Sequence, residues 1–356
     1  MRKPASFQLG RPSGRPALTR RACLAGWAAG YGALGLTATA AAGADSPFAS
    51  PRADHHLHIQ GPQLSQALAQ LKARDPAVVQ GVDPAVLKPR TGAEALRLLD
   101  AAGIRKGVLL SEAYMFGSPL MAPDNPDVAA LTRAENSYNV AEARASGGRL
   151  VAFVGVDPLA PSAPAEIDHW AGAAAGVKLH LANSFFDFGD PAHMARLREV
   201  FAQARGRRMP IAVHLRNRVQ WGAAQADAFI DQVLPAAKGL VVQVAHGAGW
   251  GALDQPTVAA LEAFGAAIAA KKPGTSALAF DLALVTAPWT KPDDPARFVE
   301  AMRKAGIERF LFASDWPAKY TPAQEAAFLQ ATLPLGAAEW RTILGNEARY
   351  LRGRTG

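Results

Sequence analysis

Ala53-Asp54-His55-His56-Leu57-His58-Ile59 has the length and the alternation of a β-strand. Side chains on a strand point to opposite faces in turn, so Asp54, His56 and His58 are expected on one face and His55 and Leu57 on the other. Seven further short β-branched or apolar runs follow, at 106–111, 150–156, 176–180, 210–214, 240–245, 277–281 and 310–314. Longer Ala/Leu-rich amphipathic stretches separate them. Thr91 followed by Glu94 reads as a capping box opening a helix over 93–102, and Gly103 stops it. Other helices are predicted over about 127–145, 191–204, 223–234, 257–270, 295–305 and 321–333. Eight strands alternating with helices predict the α/β class and, within it, a (β/α)8 TIM barrel in one domain, 45–356. The connection 112–126, with three prolines and Gly117, reads as a loop at the barrel mouth rather than a linker.

The segment ahead of this domain has a different composition. Residues 1–44 hold six basic residues and no acidic one, and an Ala/Gly/Leu run from Ala22 to Ala42 ends at Ala42-Gly43-Ala44, a small-x-small cleavage site, with Ala40-Ala41-Ala42 as an alternative. Thr19-Arg20-Arg21-Ala22-Cys23-Leu24 resembles the twin-arginine export motif, with Cys23 where a bulky apolar residue is usual. The resemblance implies a signal peptide over 1–44, the twin-arginine export machinery as a partner, and a periplasmic or secreted product. The competing reading, an uncleaved membrane anchor, suffers from the weak hydrophobicity of a run built on Ala and Gly. Without the leader, 38 basic residues become 32 against 30 acidic ones, so the formal charge falls from +8 to +2. A nucleic-acid partner therefore has no support in net charge, and no stable membrane span is expected after cleavage. Cys23, the sole cysteine, leaves with the leader, so any metal must be held by His and carboxylate.

The histidines are not scattered. Of eight, only His169 and His193 lie away from the inferred strands; the other six fall in or just after strands one, four, five and six. In a (β/α)8 barrel those strand ends converge on one mouth, where active sites of this fold lie. His214 ends Met-Pro-Ile-Ala-Val-His, His246 follows Val-Val-Gln-Val-Ala, and Asp315 follows Phe-Leu-Phe-Ala-Ser. A polar group placed repeatedly behind a buried strand points to a metal site rather than to packing. His180 lies two residues past Lys178, and Arg216 shares the orientation of His214 if that strand continues. Arg216 is thus a candidate for a substrate carboxylate, against the alternative of a salt bridge to a loop acid. Trp316, Tyr114 and Phe116 are candidate walls, and Glu112 could support a ligand histidine.

Asp54-x-His56-x-His58, Gly176-Val177-Lys178-Leu179-His180, Val213-His214-Leu215, Ala245-His246-Gly247, Ser314-Asp315-Trp316-Pro317 and Gly345-Asn346-Glu347-Ala348-Arg349 together resemble the amidohydrolase superfamily, in its amidohydrolase-related branch of TIM-barrel metal-dependent hydrolases and decarboxylases. The resemblance implies that His56, His58, His214 and Asp315 ligate a divalent metal, zinc being the expected ion. It implies that His246 assists the chemistry or ligates a second ion. Lys178 stands where binuclear members carry a carbamylated lysine; in mononuclear members it would pair with Asp315 or with a substrate anion, and one ion is the favoured count. The activity implied is hydrolysis of an amide, ester or lactone in a small, anionic substrate, with Asp315 taking the proton of the attacking water, His246 orienting it, and Arg216 and His180 binding substrate. Two alternatives stand beside it: non-oxidative decarboxylation of an aromatic or unsaturated acid, and a non-catalytic periplasmic binding protein on the same barrel.

Overall fold

The computed structural model describes residues 49–76, 87–121, 127–250, 253–285 and 295–352. Residues 1–44, read above as a leader, and the end of the mouth loop, 122–126, lie outside them. In chain order the elements are β1 (Ala53–Leu57), α1 (Pro62–Arg74), α2 (Gly92–Ala101), β2 (Lys106–Leu110), α3 (Val128–Ala145), β3 (Leu150–Gly155), α4 (Ala163–Trp170), β4 (Gly176–His180), α5 (Pro191–Gly206), β5 (Ile211–His214), α6 (Ala223–Gln232), β6 (Val242–Val244), α7 (Gln255–Ala269), β7 (Leu278–Asp281), α8 (Pro295–Ala305), β8 (Phe310–Leu311), α9 (Pro322–Thr332) and α10 (Ala337–Gly345). All strand pairs are parallel and run in the order β1 to β8. The chain leaving β8 returns to β1 through His55 N–H to Phe312 O at 3.1 Å and Asp315 N–H to His56 O at 2.8 Å, with a parallel bridge from Leu57 to Trp316. The fold is the (β/α)8 barrel.

The eight strands stand where the alternation puts them, but they are shorter at the mouth. β1 stops at Leu57 and β8 at Leu311, so His58, Ser314 and Asp315 belong to the loops leaving the barrel. Between Asp54 and Leu57 the pairing with β2 slips, three steps on β1 against two on β2, which is a bulge. Strict alternation of Asp54, His56 and His58 therefore fails locally. Asp54 turns to the backbone instead, its Oδ1 accepting from the amides of His56 and Ser314, both at 3.1 Å.

Three helices were not expected from the sequence. α1 starts at Pro62 in its first turn and buries Leu64, Leu68 and Leu71 at helical spacing. α4 has eight residues, too few for a clear period. α10 follows α9 after β8. The main core lies between strands and helices, while Val108, Leu110, Phe153, Ala212 and Leu311 form a second cluster with Ala348, Tyr350 and Leu351. The C-terminal turn thus packs its Tyr350 into this cluster, with its ring edge-on to Phe153 at 4.9 Å between centroids. A third cluster joins α1 to Tyr114, Met115, Phe116 and Met121, which anchors the first part of the mouth loop. Among the described residues no helix is long and apolar enough to cross a membrane.

Candidate metal centre

Each histidine of the mouth is aimed by an acceptor behind it. His56 Nδ1 lies 3.1 Å from Asp281 Oδ2, His58 Nδ1 lies 2.6 Å from Leu110 O, and His246 Nδ1 lies 2.8 Å from Ala283 O. A carbonyl or carboxylate oxygen accepts, so the proton of each neutral ring sits on Nδ1 and the lone pair on Nε2 faces inward. There, His56 Nε2 lies 3.1 Å from His58 Nε2, and Asp315 Oδ1 lies 3.1 Å from the former and 3.0 Å from the latter. His56, His246 and Asp315 each offer an atom within 4.8 Å of the others. His214 Nε2 is buried and has no hydrogen-bond partner. Imidazole lone pairs and a carboxylate converging at such distances repel one another unless a cation lies between them. The donor set, nitrogen and oxygen without sulfur, fits a divalent ion.

Electrostatics follow from burial and these pairings. Burial holds His56 down at about 4, helped by the neighbouring Lys178 ammonium. Burial also pushes His180 and His214 well below the usual histidine range, so their rings are neutral. For His58 burial acts the same way, but Glu112 and Asp315 outweigh it and raise the ring. Burial opposes ionisation of Asp315 and Asp281 too, yet the facing histidines win and hold both carboxyls well below the carboxylate range. Lys178 is fully buried with Nζ 3.2 Å from His56 Nε2, and its burial lowers its pKa.

The structure brings together His56, His58, His246, Asp315 and Lys178, and places His180 and His214 beside them in one cavity at the barrel mouth. His180 stacks on His214 with ring centroids 3.9 Å apart and an interplanar angle of 8°. Its Nδ1 accepts from Asn183 N–H at 3.3 Å, which leaves its proton on Nε2. His180 is therefore a donor, unlike the three rings aimed at the centre. β5 ends at His214, and the Arg216 guanidinium turns to a bidentate pair with Asp254, both N–O distances 2.9 Å, and to Thr257 Oγ1 at 3.2 Å. It does not line the cavity, so the salt bridge to a loop acid is the arrangement found. Among the aromatic candidates Tyr114 lines the cavity, Phe116 packs with α1, and Trp316 joins the main core. Trp250, which sequence reading passed over, takes the wall position, and Glu112 lines it as well.

Asp281 is the other omission. Its Oδ2 accepts from His56 and from Gln243 Nε2 at 2.7 Å, and its Oδ1 accepts from the amides of His246 at 2.9 Å and Ala283 at 3.3 Å. It closes β7 behind Leu-Ala-Phe, the same strand-end signal that marked Asp315.

A parallel eight-stranded barrel with histidines and an aspartate gathered at the C-terminal ends of its strands defines a class of metal-dependent enzymes. Residues 53–351 match the amidohydrolase family, and the chain belongs to it. No curated protein sequence matches the chain. Similar solved structures include a 5-carboxyvanillate decarboxylase from Sphingomonas paucimobilis, at 16% identity and TM-score 0.57 over 86% of this chain and 99% of that one. A zinc-bound amidohydrolase from Burkholderia multivorans gives 17% and 0.54 over 83% and 96%. A putative 2-pyrone-4,6-dicarboxylic acid hydrolase from Pseudomonas putida gives 17% and 0.53 over 85% and 98%. At these identities the likeness speaks for the fold.

Proposed function

We propose that this protein is a metal-dependent hydrolase that cleaves an amide, ester or lactone bond in a small substrate, with one divalent ion, zinc in preference, held by His56, His58, His214 and Asp315. The observation that carries the reading is the inward convergence of Nε2 lone pairs on the Asp315 carboxylate at the floor of the cavity. A cation bound there supplies Lewis acidity and makes hydroxide available near neutral pH. Asp315 is held ionised by His56 and His58 and accepts a proton as the attacking water is consumed. His246, its Nδ1 fixed on Ala283 O, offers Nε2 as an acceptor that orients this water. His180 presents Nε2–H to a substrate oxygen. With Arg216 committed to Asp254, Lys178 is the one ammonium or guanidinium among the described residues lining the cavity, and it is our candidate contact for an anionic substrate group.

Decarboxylation of an aromatic or unsaturated acid is the second reading. It is supported by solved relatives described as decarboxylases of 5-carboxyvanillate and 2,6-dihydroxybenzoate, and weakened by the loss of Arg216 as the carboxylate clamp. Turnover of a panel of lactones, amides, esters and aromatic acids in oxygen-labelled water separates the two. Hydrolysis puts label into the product acid; carbon dioxide release without label in the product sinks the hydrolase reading, and turnover of nothing favours a binding protein. We further propose that 1–44 is a twin-arginine leader and the product periplasmic or secreted, on the strength of Arg20-Arg21 ahead of the apolar run 22–42.

A further inference from the structure

We propose that the end of the barrel opposite the metal centre is a docking face for an anionic phospholipid bilayer. Parallel strands put every helix-to-strand connection at that end and every strand-to-helix connection at the mouth. The helix-to-strand connections, with the approach to β1 and the tail after α10, hold eleven Lys and Arg against two acids, Glu308 and Glu347. Among the described residues the strand-to-helix connections hold three Lys and Arg against seven Asp and Glu. A chain whose mature net charge is near zero is thus strongly polarised along the barrel axis.

Local pairing removes only part of the basic surplus. Arg52, Arg149, Arg207 and Lys272 pair with Glu347, Asp100, Asp168 and Asp231, and Arg309 bonds to backbone carbonyls. Arg105, Arg208, Lys238, Lys271, Arg349 and Arg352 are exposed, and none forms an ion pair with another described residue. Compensation of helix dipoles accounts for basic residues in the last helical turns, such as Arg144 and Arg205. It does not account for those beyond, because the effect fades within that turn.

Two of these side chains are kept at a conformational cost. α2, α5 and α7 end in the same motif, in which the third residue past the helix donates back into the last turn: Ile104 to Leu99, Met209 to Ala204 and Lys272 to Ala267. The residue before it must be left-handed. α2 uses Gly103 there, at φ 68°, but α5 uses Arg208 at φ 56° and α7 uses Lys271 at φ 53°. Glycine or asparagine suits that position, so folding alone gives no reason for a cation at either.

The face is also where the N-terminal segment arrives. Arg52 N–H donates to Leu344 O at 2.8 Å, and Ala49, Ser50, Pro51 and Arg52 lie beside Gly103 and Arg105. The leader proposed over 1–44 brings the folded chain to a bilayer and exports it away from nucleic acid. The choice of a membrane as the partner rests on that reading. Docked this way, the mouth faces away from the surface and stays open to substrate.

Protein recovered from cells, its N-terminus read by mass spectrometry, is floated with vesicles of phosphatidylglycerol and phosphatidylcholine, or of phosphatidylcholine alone, at low and high salt. Wild type should bind the anionic vesicles and lose them as salt rises. Arg208→Asn/Lys238→Gln/Lys271→Asn, in the same N-terminal form, should bind on the order of a hundredfold less tightly. Its thermal unfolding should occur no lower than that of wild type, because asparagine tolerates the left-handed backbone. Equal binding by the variant, or equal binding to neutral vesicles, overturns the proposal. Tighter binding to duplex DNA than to anionic vesicles at the same salt overturns it too and assigns the face to nucleic acid.

Discussion

Replacing Asp281 with Asn removes one charge and no volume, and it should nevertheless weaken metal binding at a site that Asp281 does not touch. The carboxylate is fully buried and receives four donors: His56 Nδ1–H and Gln243 on one oxygen, the amides of His246 and Ala283 on the other. An asparagine has one acceptor oxygen. The two backbone amides cannot turn away, so the oxygen goes to them and the new NH2 faces His56 and Gln243. His56 can then satisfy the contact only by moving its proton to Nε2, which removes the lone pair from the metal position. Lost support of this kind costs metal ligands about 10–100-fold in affinity, or about 1.4–2.8 kcal/mol. A further ~1–3 kcal/mol of folding stability should go with the unmatched buried donors. Competition for the ion against a chromophoric chelator reads the first quantity and thermal unfolding of the metal-free protein reads the second. If the variant loses stability but binds the ion as tightly as wild type, Asp281 merely packs the barrel and the aiming of His56 has another cause.

Substituting both His56 and His58 with Ala should leave the protein unable to retain a divalent ion in metal analysis, and full wild-type activity after exhaustive chelation would refute a metal mechanism. His246→Asn should lower turnover while keeping one equivalent of metal; loss of a second equivalent in this variant and in Lys178→Ala would replace the one-ion site by a bridged pair. Burial raises Glu135 from 4.5 to about 7, with Glu112 adding to it. The folded state therefore keeps a proton that the unfolded chain releases, and stability should fall by up to about 3 kcal/mol as pH rises from 4.5 to 7. In Glu135→Gln that slope should flatten in urea titrations, and an unchanged slope would show that the burial is relieved by solvent. Arg20→Lys/Arg21→Lys should block export in a cell-fractionation assay, and unimpaired export would point to the general secretory route.

The sites legible in the sequence are those where an apolar strand delivers a polar residue to the mouth. His214, His246 and Asp315 each follow such a run, and the structure sets all three around the same cavity. Asp281 carries the same signal at the end of β7, but that strand bears no histidine and the role of the carboxylate emerges only from its contacts in the fold. Arg216 lies off the cavity for a definite reason: alternation holds only while the chain remains a strand, and β5 ends two residues earlier. The pairing of Asp54 with the amides of His56 and Ser314 was hidden in the same way, by a bulge that no local pattern announces. The choice of Trp250 over Trp316 as a wall depends on how two loops bend after their strands, which is tertiary information.

What no sequence pattern could show is that the two residues of the proposed chemistry are also places where the backbone leaves its ordinary range. His246 has φ 56° and ψ 35°, and Asp315 has φ 56°. A left-handed conformation costs a residue with a Cβ roughly 1–2 kcal/mol, so each must be over-determined by its surroundings. At His246 the amide is held by Asp281 and the carbonyl by Gly249 N–H at 2.8 Å. At Asp315 the amide is held by His56 O and the carbonyl by Ala318 N–H, both at 2.8 Å. His56 is in turn fixed by Asp281. One buried carboxylate thus aims the ring of His56, bonds the amide of His246, and through His56 supports the turn that presents Asp315. The strain lies where imidazole and carboxylate must converge on one point, a geometry that relaxed strand ends, diverging as the barrel opens, would not provide.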